Sequence, residues 1–318
     1  MKKYDVIALG ELLIDFTMNG ASNQGNELFE ANPGGAPCNV LSMLHNLGKK
    51  TAFIGKVGQD SFGTLLEETL KQIGIDTEGL KKDQNVNTTL AFVHTAPDGD
   101  RSFSFYRNPG ADMMLREEEI EEDLIAQGKI FHFGTLSMTD ELVSRATKKA
   151  VDIAKQHQLL ISFDPNYRPL LWEREEAARD AMAYGMSQCD ILKIADDELL
   201  FFTGEKDYEE GIRQIQLKYD IPLICLTLGK EGSRAYYRGM RVERPGVKLE
   251  HVTDTTGAGD TFCACVLNYV LNHDPKKIEE PELLDMLDFA NAAAACITQR
   301  KGALKVMPQL QEINDRLH

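Results

Sequence analysis

A chain of 318 residues with a formal net charge of −15 offers no basic face to a phosphate backbone or an anionic membrane, which excludes non-specific binding to either. A chain of this length buries roughly 75% of the surface its unfolded form exposes, so a full core forms without staples. The cysteines at 38, 189, 225, 263, 265 and 296 form no C-x-x-C pair and sit mostly in apolar runs; they read as reduced core residues of a cytoplasmic protein. The apolar run in "MKKYDVIALG" is too short for a signal peptide, and no span of ~18 apolar residues occurs.

Taken in order, the segments alternate. "DVIALG" (5–10) is a buried strand ending in Gly. "APCNVLSMLHNLG" (36–48) has helical spacing with Gly at the C-cap. "TAFIGKVG" follows as strand and loop, then "DSFGTLLEETLKQIG" as helix. "KIFHFG" (129–134), "LLISFD" (159–164), "DILKI" (190–194) and "LICLTLG" (223–229) are strands. Between them, "DELVSRATKKAVDIAKQH", "EREEAARDAMAYGM" and "DELLFFTG" are helices, and two long helices follow at about 261–272 and 281–300. This alternation predicts an α/β fold with a mostly parallel sheet covered on both faces. One segment breaks it. "TTLAFVHTAPDGDRSFSFYR" (88–107) is a hairpin about the turn "PDGD", with partner strands expected from "MNGASNQGNELFEANPGG" (18–35). "EEEIEEDL" (117–124) reads as a solvated acidic helix. His45, His94, His132, His157 and His251 lack metal-ligand spacing and read as structural.

"DTTGAGD" (254–260) sets two carboxylates around a Gly-Ala-Gly turn at the start of a helix. The first N–H groups of a helix lack internal partners, and its dipole is positive there. Glycines at 257 and 259 let an anion approach, so the stretch is a candidate phosphate cradle. Asp260 would repel a phosphate unless it accepts a proton from an attacking hydroxyl, as phosphoryl transfer requires. An ordinary capped helix start would carry the same residues. The third glycine of a dinucleotide fingerprint is absent, because Phe262 fills its place, and no Walker A pattern occurs.

"DTTGAGDTF" resembles the C-terminal signature of the PfkB, or ribokinase-like, carbohydrate kinases. "GGAPCNV" (34–40) resembles their N-terminal signature, in the family's order and spacing. The likeness extends to "GELLIDF", "TLGKEG" and "ANAAAACITQRKGA". "FYRNPGADMML" (105–115) and "FDPNYRPLLW" (163–172) resemble fructokinases of the family; 2-keto-3-deoxygluconate kinases share a version of the second. The resemblance implies one kinase domain over 1–318, a three-layer sandwich with a small β-sheet lid at about 11–33 and 88–112. It implies ATP-dependent phosphorylation of a sugar, fructose first, with 2-keto-3-deoxygluconate, ribose or a nucleoside as alternatives. A sugar sensor would lack the base, and an NAD-dependent oxidoreductase would need a glycine fingerprint that "ALGELLIDF" does not supply.

By the same resemblance, Asp260 is the general base and the amides of Gly257, Ala258 and Gly259 form the anion hole. Asp15, Gly34, Gly35, Asn39 and Arg107 face the sugar, and Arg168 clamps phosphate or the sugar's polar edge. Lys193, Glu198, Thr227, Gly229, Gly232 and Asn291 belong to the nucleotide side. Relatives carry N-x-x-E where this chain has "ADDE": Ala195 replaces Asn, Glu198 is kept to organise Mg²⁺ through water, and Asp196 or Asp197 is left to compensate. Asp254 and Thr256 match a potassium site completed by carbonyls at 300–302. A homodimer through the edges of the lid sheet is a further expectation.

Overall fold

The computed structural model describes residues 2–95, 101–274 and 277–317. Strand β1 (Tyr4–Leu9) lies parallel between β4 (Thr51–Gly58) and β8 (Gly128–Gly134). β5 (Asp76–Asp83) extends the sheet beyond β4; β9 (Leu160–Asp164), β10 (Ile191–Ala195) and β11 (Leu223–Thr227) extend it beyond β8, all parallel. An antiparallel hairpin, β12 (Gly232–Tyr237) and β13 (Met240–Pro245), completes the nine-stranded order β13-β12-β11-β10-β9-β8-β1-β4-β5.

Period-two alternation sends Val6 and Ala8 to one face of this sheet and Ile7 and Leu9 to the other. The first face packs under α1 (Ala36–Asn46), α2 (Ser61–Ile73), α8 (Ala258–Asn272), α9 (Glu280–Ile297) and α10 (Leu310–Leu317). The second packs under α3 (Glu122–Ile125), α4 (Glu141–Gln156), α5 (Glu175–Gln188), α6 (Asp196–Thr203) and α7 (Tyr208–Lys218). Burial on both faces is why the central strands read as unbroken apolar runs. Phe131, Phe133 and Phe163 are wholly buried, and each such ring contributes about 1.5–3 kcal/mol relative to exposure.

The smaller sheet has the order β3-β2-β6-β7, from β2 (Leu13–Ala21), β3 (Glu27–Gly34), β6 (Leu90–Thr95) and β7 (Arg101–Tyr106). β6 and β7 pair antiparallel, as the hairpin reading requires; the "PDGD" turn itself and the His94 side chain lie outside the described residues. Phe16 on β2 stacks on Phe92 of β6 at 4.8 Å and meets Phe62 of α2 edge-on at 5.6 Å, which seats this sheet on the larger body.

Two readings change. The acidic stretch 117–124 is not one solvated helix: a short 3₁₀ turn at Glu117–Glu119 and the four-residue α3 flank the buried Ile120. Glu119 turns inward to the buried Lys56, 2.8 Å away, so its charge compensates a buried ammonium. The sequence reading also passed over β5, α7 and the β12–β13 hairpin. β5 ("DTEGLKKD") is an edge strand whose charges hide the alternation, as edges commonly do.

Candidate active site

The parallel strands all end on one side of the sheet. There Glu11 (just past β1), Asp164 (ending β9), and Lys193 and Ala195 (ending β10) come together with the start of α8. Open α/β sheets bind ligands at such an edge. A cavity of about 620 Å³ occupies it, lined among others by Asp15, Asn39, Phe105, Arg168, Lys193, Glu198, Gly257, Gly259 and Asp260.

Gly257 is the N-cap of α8, with φ 79° in the left-handed region. A Cβ there would stand 2.7 Å from the Ala303 Cβ, so a side chain is excluded on steric as well as conformational grounds. Among the described residues, the N–H groups of Gly257, Gly259 and Asp260 have no acceptor, while that of Ala258 turns back to the Thr255 carbonyl at 3.2 Å. The cradle therefore offers a different set of donors from the expected one, with Asp260 N–H in place of Ala258 N–H. The Asp260 carboxyl is buried, and burial pushes it up to about 6; Asp164 adds to this, while the Asn39 amide, Lys193 and Arg168 hold it down. Asn39 Nδ2 donates to Asp260 Oδ2 at 2.8 Å.

The Gly-Gly pair before α1 serves two carboxylate-bearing neighbours. A Cβ on Gly34 would lie 2.4 Å from Asp15 Oδ2, and one on Gly35 would lie 2.4 Å from the Glu11 carbonyl. Gly35 also adopts φ 132°, which disfavours any side chain. Asp15 thus reaches the cavity through space that Gly34 leaves open. Burial lifts its carboxyl to about 7, against Arg168 and with help from Asp254 and Asp260. Glu11 Oε1 accepts from Ala36 N at 2.7 Å and stands in for a cap that Gly35 cannot supply at the start of α1.

Arg107 departs from its expected place. Its guanidinium is buried, with Nε donating to Asp112 Oδ2 at 2.8 Å, Nη1 to Thr139 at 2.9 Å and Nη2 to the Leu136 carbonyl at 2.9 Å. It braces the end of β7 and is not among the cavity walls. Arg168 is exposed at the mouth, near enough to lower both Asp15 and Asp260. Lys193 Nζ lies 3.2 Å from Asp164 Oδ1 and 4.0 Å from Glu198 Oε2. Burial opposes its charge, but Asp164, Glu198 and Asp260 outweigh that and raise it. A Cβ on Gly259 would lie 3.2 Å from this ammonium, so the glycine brings the cradle onto it.

Glu198 occupies the first turn of α6, accepting from Tyr167 N and Ala195 N, each at 2.8 Å. Of the two candidates to compensate for Ala195, Asp197 lines the cavity and Asp196 does not. Thr227 ends β11, Gly229 opens the turn into β12 and Gly232 begins that strand, at the same edge but outside the cavity wall. Asn291 on α9 is spent on the protein, accepting from Ser233 at 2.9 Å and donating to the Pro245 carbonyl at 3.3 Å. Asp254 ties two loops together: Oδ1 accepts from Thr256 N and Oγ1, and Oδ2 from Gly302 N. The expected loops at 254–256 and 300–302 therefore do meet.

Sequence reasoning passed over Glu11, Asp112, Asp164 and Asn166. Glu11, Asp164 and Asn166 line a small void beneath Asp260, together with His132. Their signal was present: "GELLIDF" and "FDPNYR" end strands at the ligand-binding edge. His132 Nδ1 lies 3.0 Å from Ser162 Oγ, and burial lowers it to about 4, so it stays neutral.

Residues 3–310 match the family described as pfkB family carbohydrate kinase. The chain is 38% identical to Fructokinase-1 of Zea mays over 97% of its own length and 96% of that relative. Among solved structures it resembles a fructokinase with bound ATP from Xylella fastidiosa, at 30% identity and TM-score 0.90, covering 100% of this chain and 98% of that one. A fructokinase double mutant from Vibrio cholerae O395, in a form with fructose, ADP and potassium ion bound, aligns at 27% identity and TM-score 0.88, covering 100% of both chains. A cradle of unpartnered amides beside a buried carboxylate, and these likenesses over nearly the whole length, lead to one assignment: the chain belongs to the pfkB family of carbohydrate kinases and is a phosphotransferase acting on a sugar hydroxyl.

Proposed function

We propose that the protein is a fructokinase that converts D-fructose and ATP into fructose 6-phosphate and ADP. The observation that carries the reading is the Asp260 carboxylate, held at the unpartnered amides of α8 and lining one cavity with Asp15. Asp15 and Arg168 bind the sugar hydroxyls. Asp260 takes the proton of the attacking hydroxyl as its oxygen bonds to the γ-phosphorus and the bond to the β–γ bridging oxygen breaks, releasing ADP. The free N–H groups of Gly257, Gly259 and Asp260, with Lys193 below them, receive the transferred charge; a single such donor contributes about 3–4 kcal/mol when judged by its removal.

The donor set suits the expected ions. Glu198 and Asp197 put carboxylate oxygens on the wall, the hard ligands that Mg²⁺ prefers, and would hold it through water; it would supply positive charge to offset that of the phosphates. The Asp254 and 300–302 loops, brought together here, would form the potassium site. The small sheet acts as a lid of a single kinase domain and excludes water during transfer. Its outer strands β3 and β7 and its exposed Met18, Leu28 and Tyr106 suit pairing with a second copy. All six cysteines are buried and free, as suits a reducing cytoplasm.

Fructose is favoured over a sugar acid by charge. Asp15, Glu11 and Asp260 face the cavity, with Arg168 as the cation at its sugar side, because Asp112 neutralises Arg107. A coupled ADP-release assay over fructose, 2-keto-3-deoxygluconate, ribose and adenosine tests the reading. Fructose should give the highest kcat/KM; a higher value for the acid would replace the assignment.

A further inference from the structure

On the first face of the central sheet, one stretch of chain grips two helices. Ser42 Oγ and Asn46 Nδ2 of α1 donate to the Leu304 and Met307 carbonyls at 2.7 and 3.0 Å, and Thr261 Oγ1 of α8 donates to Met307 Sδ at 3.3 Å. On the second face, α5, the last turn of α6 and the end of α7 stand around a pocket of about 290 Å³ that shares no residue with the catalytic cavity. That volume is close to the roughly 300 Å³ at which small-molecule sites begin. We infer that this pocket is a second binding site, for a small organic carboxylate with a flat apolar body, and that its occupant weakens sugar binding through α6. The effect on sugar rests on the reading of Arg168 as a sugar ligand; the pocket itself does not.

The lining sets the chemistry. Ala183 and the rings of Phe202 and Tyr219, whose centroids lie 6.4 Å apart, give the pocket an apolar side that suits a flat hydrocarbon body. Two cations line it as well, Arg179 and Lys218. Among the described residues Lys218 Nζ has no carboxylate partner, on a chain of net charge −15, and lies 5.2 Å from the Tyr219 ring. Arg179 is only partly spent: Nε donates to the Phe201 carbonyl at 3.1 Å and Nη1 to Glu175 at 3.3 Å, while Nη2 has no acceptor among the described residues. The Tyr219 hydroxyl is buried with no partner, a state that costs free energy until an acceptor reaches it. A carboxylate brings two acceptor oxygens to such donors. Asp180 is the one acid in the lining, and its repulsion of a second negative charge favours a carboxylate over a phosphate dianion.

The two sites meet through α6. This helix has eight residues and so spans about 12 Å. Its first turn puts Asp197 and Glu198 on the catalytic cavity, and its last puts Phe202 on the pocket. Arg179 braces the residue between them: its guanidinium lies 4.3 Å over the Phe201 ring and bonds the Phe201 carbonyl. The same ring stacks at 4.1 Å on Tyr167, the neighbour of Arg168. A carboxylate that draws Arg179 toward itself takes the brace from Phe201, and the Tyr167–Arg168 segment loses part of its support.

The test uses benzoate as probe, titrated by ligand-observed NMR, with fructose affinity measured by calorimetry without nucleotide. Benzoate should bind saturably with a Kd of about 1 mM, and benzyl alcohol, which lacks the charge, about tenfold more weakly. ADP should not displace it. Saturating benzoate should raise the fructose Kd about threefold, and saturating fructose should raise the benzoate Kd by the same factor and no further, because coupling is reciprocal. Lys218→Glu should weaken benzoate tenfold or more while kcat and the fructose KM without benzoate stay within about twofold. Ala183→Phe, which fills the pocket, should abolish benzoate binding. Displacement of benzoate by ADP, or without limit by fructose, would place it in the catalytic cavity and overturn the inference. So would benzoate affinity unchanged in Lys218→Glu, equal affinity for benzyl alcohol, no saturable binding, or a fructose Kd that benzoate leaves unmoved. Fructose neither bound nor phosphorylated would remove the sugar reading and the coupling with it, whereas Lys218-dependent benzoate binding would still support the pocket.

Discussion

Arg107 and Asp112 form an ion pair of 2.7 Å in which both side chains are almost wholly withdrawn from solvent. Breaking one side of a buried pair strands the other charge, at a cost of about 3–5 kcal/mol. Asp112→Ala should therefore lower the urea midpoint strongly. Arg107→Ala should do the same before any loss of sugar affinity is seen. A stable Arg107→Ala protein that binds fructose ten times more weakly would return Arg107 to the sugar.

Asp260→Asn keeps the shape of the side chain and removes its basicity. Turnover should drop by about 10²–10⁴, the usual contribution of a general base, with fructose affinity little changed. Single-turnover rates with radiolabelled ATP check this, and near-normal turnover would place the base elsewhere.

Burial pushes the Asp260 carboxyl up to about 6, so with Asp260 as the proposed base kcat/KM should fall as pH drops below about that value. Stability should respond in the opposite sense at Glu11. Its folded pKa is raised to about 7 from 4.5, so the folded state binds more protons between those values and stability falls as pH rises through that window. The penalty, fully present above pH 7, is on the order of 3 kcal/mol. Glu11→Gln keeps an acceptor for Ala36 N and should remove its share of this slope, leaving the shares of Asp15 and Asp260, which are raised in the same sense. Denaturation curves at pH 5 and pH 8 decide it; an unchanged slope would mean that Glu11 is not the source.

Gly34→Ala pushes a methyl toward Asp15 Oδ2, where an unrelaxed Cβ would sit at 2.4 Å. With Asp15 as the proposed acceptor for sugar hydroxyls, its displacement should raise the fructose KM about tenfold or more, with a smaller effect on kcat. Unchanged kinetics would show that Asp15 does not hold the sugar.

Much of the architecture was legible because its signal is local. The apolar run of β1 and the Gly-bounded α1 and α2 follow from burial on two faces and from capping. Asp260 was legible because a carboxylate at a glycine-lined helix start needs explaining. The ties of Arg107 to Thr139 and the Leu136 carbonyl were not legible, because those partners lie about thirty residues away, although Asp112 stands five residues on in the same motif. The Asn39–Asp260 bond spans 221 positions and was equally invisible. β5 was missed for a different reason: its lysines and acids suit an exposed edge and mask its period.

The stretch from Leu304 to Met307, which grips both α1 and α8, has a consequence for how the molecule is made. Asp15 and Asn39 leave the ribosome more than 200 residues before Asp260, and the clasp that ties α1 to α8 emerges later still. A chain lacking that clasp has neither the Ser42 and Asn46 ties of α1 nor the Thr261 tie of α8. With Asp260 as the proposed base, a chain cut short of Leu304 should therefore lack kinase activity, because that clasp no longer fastens α1 to α8.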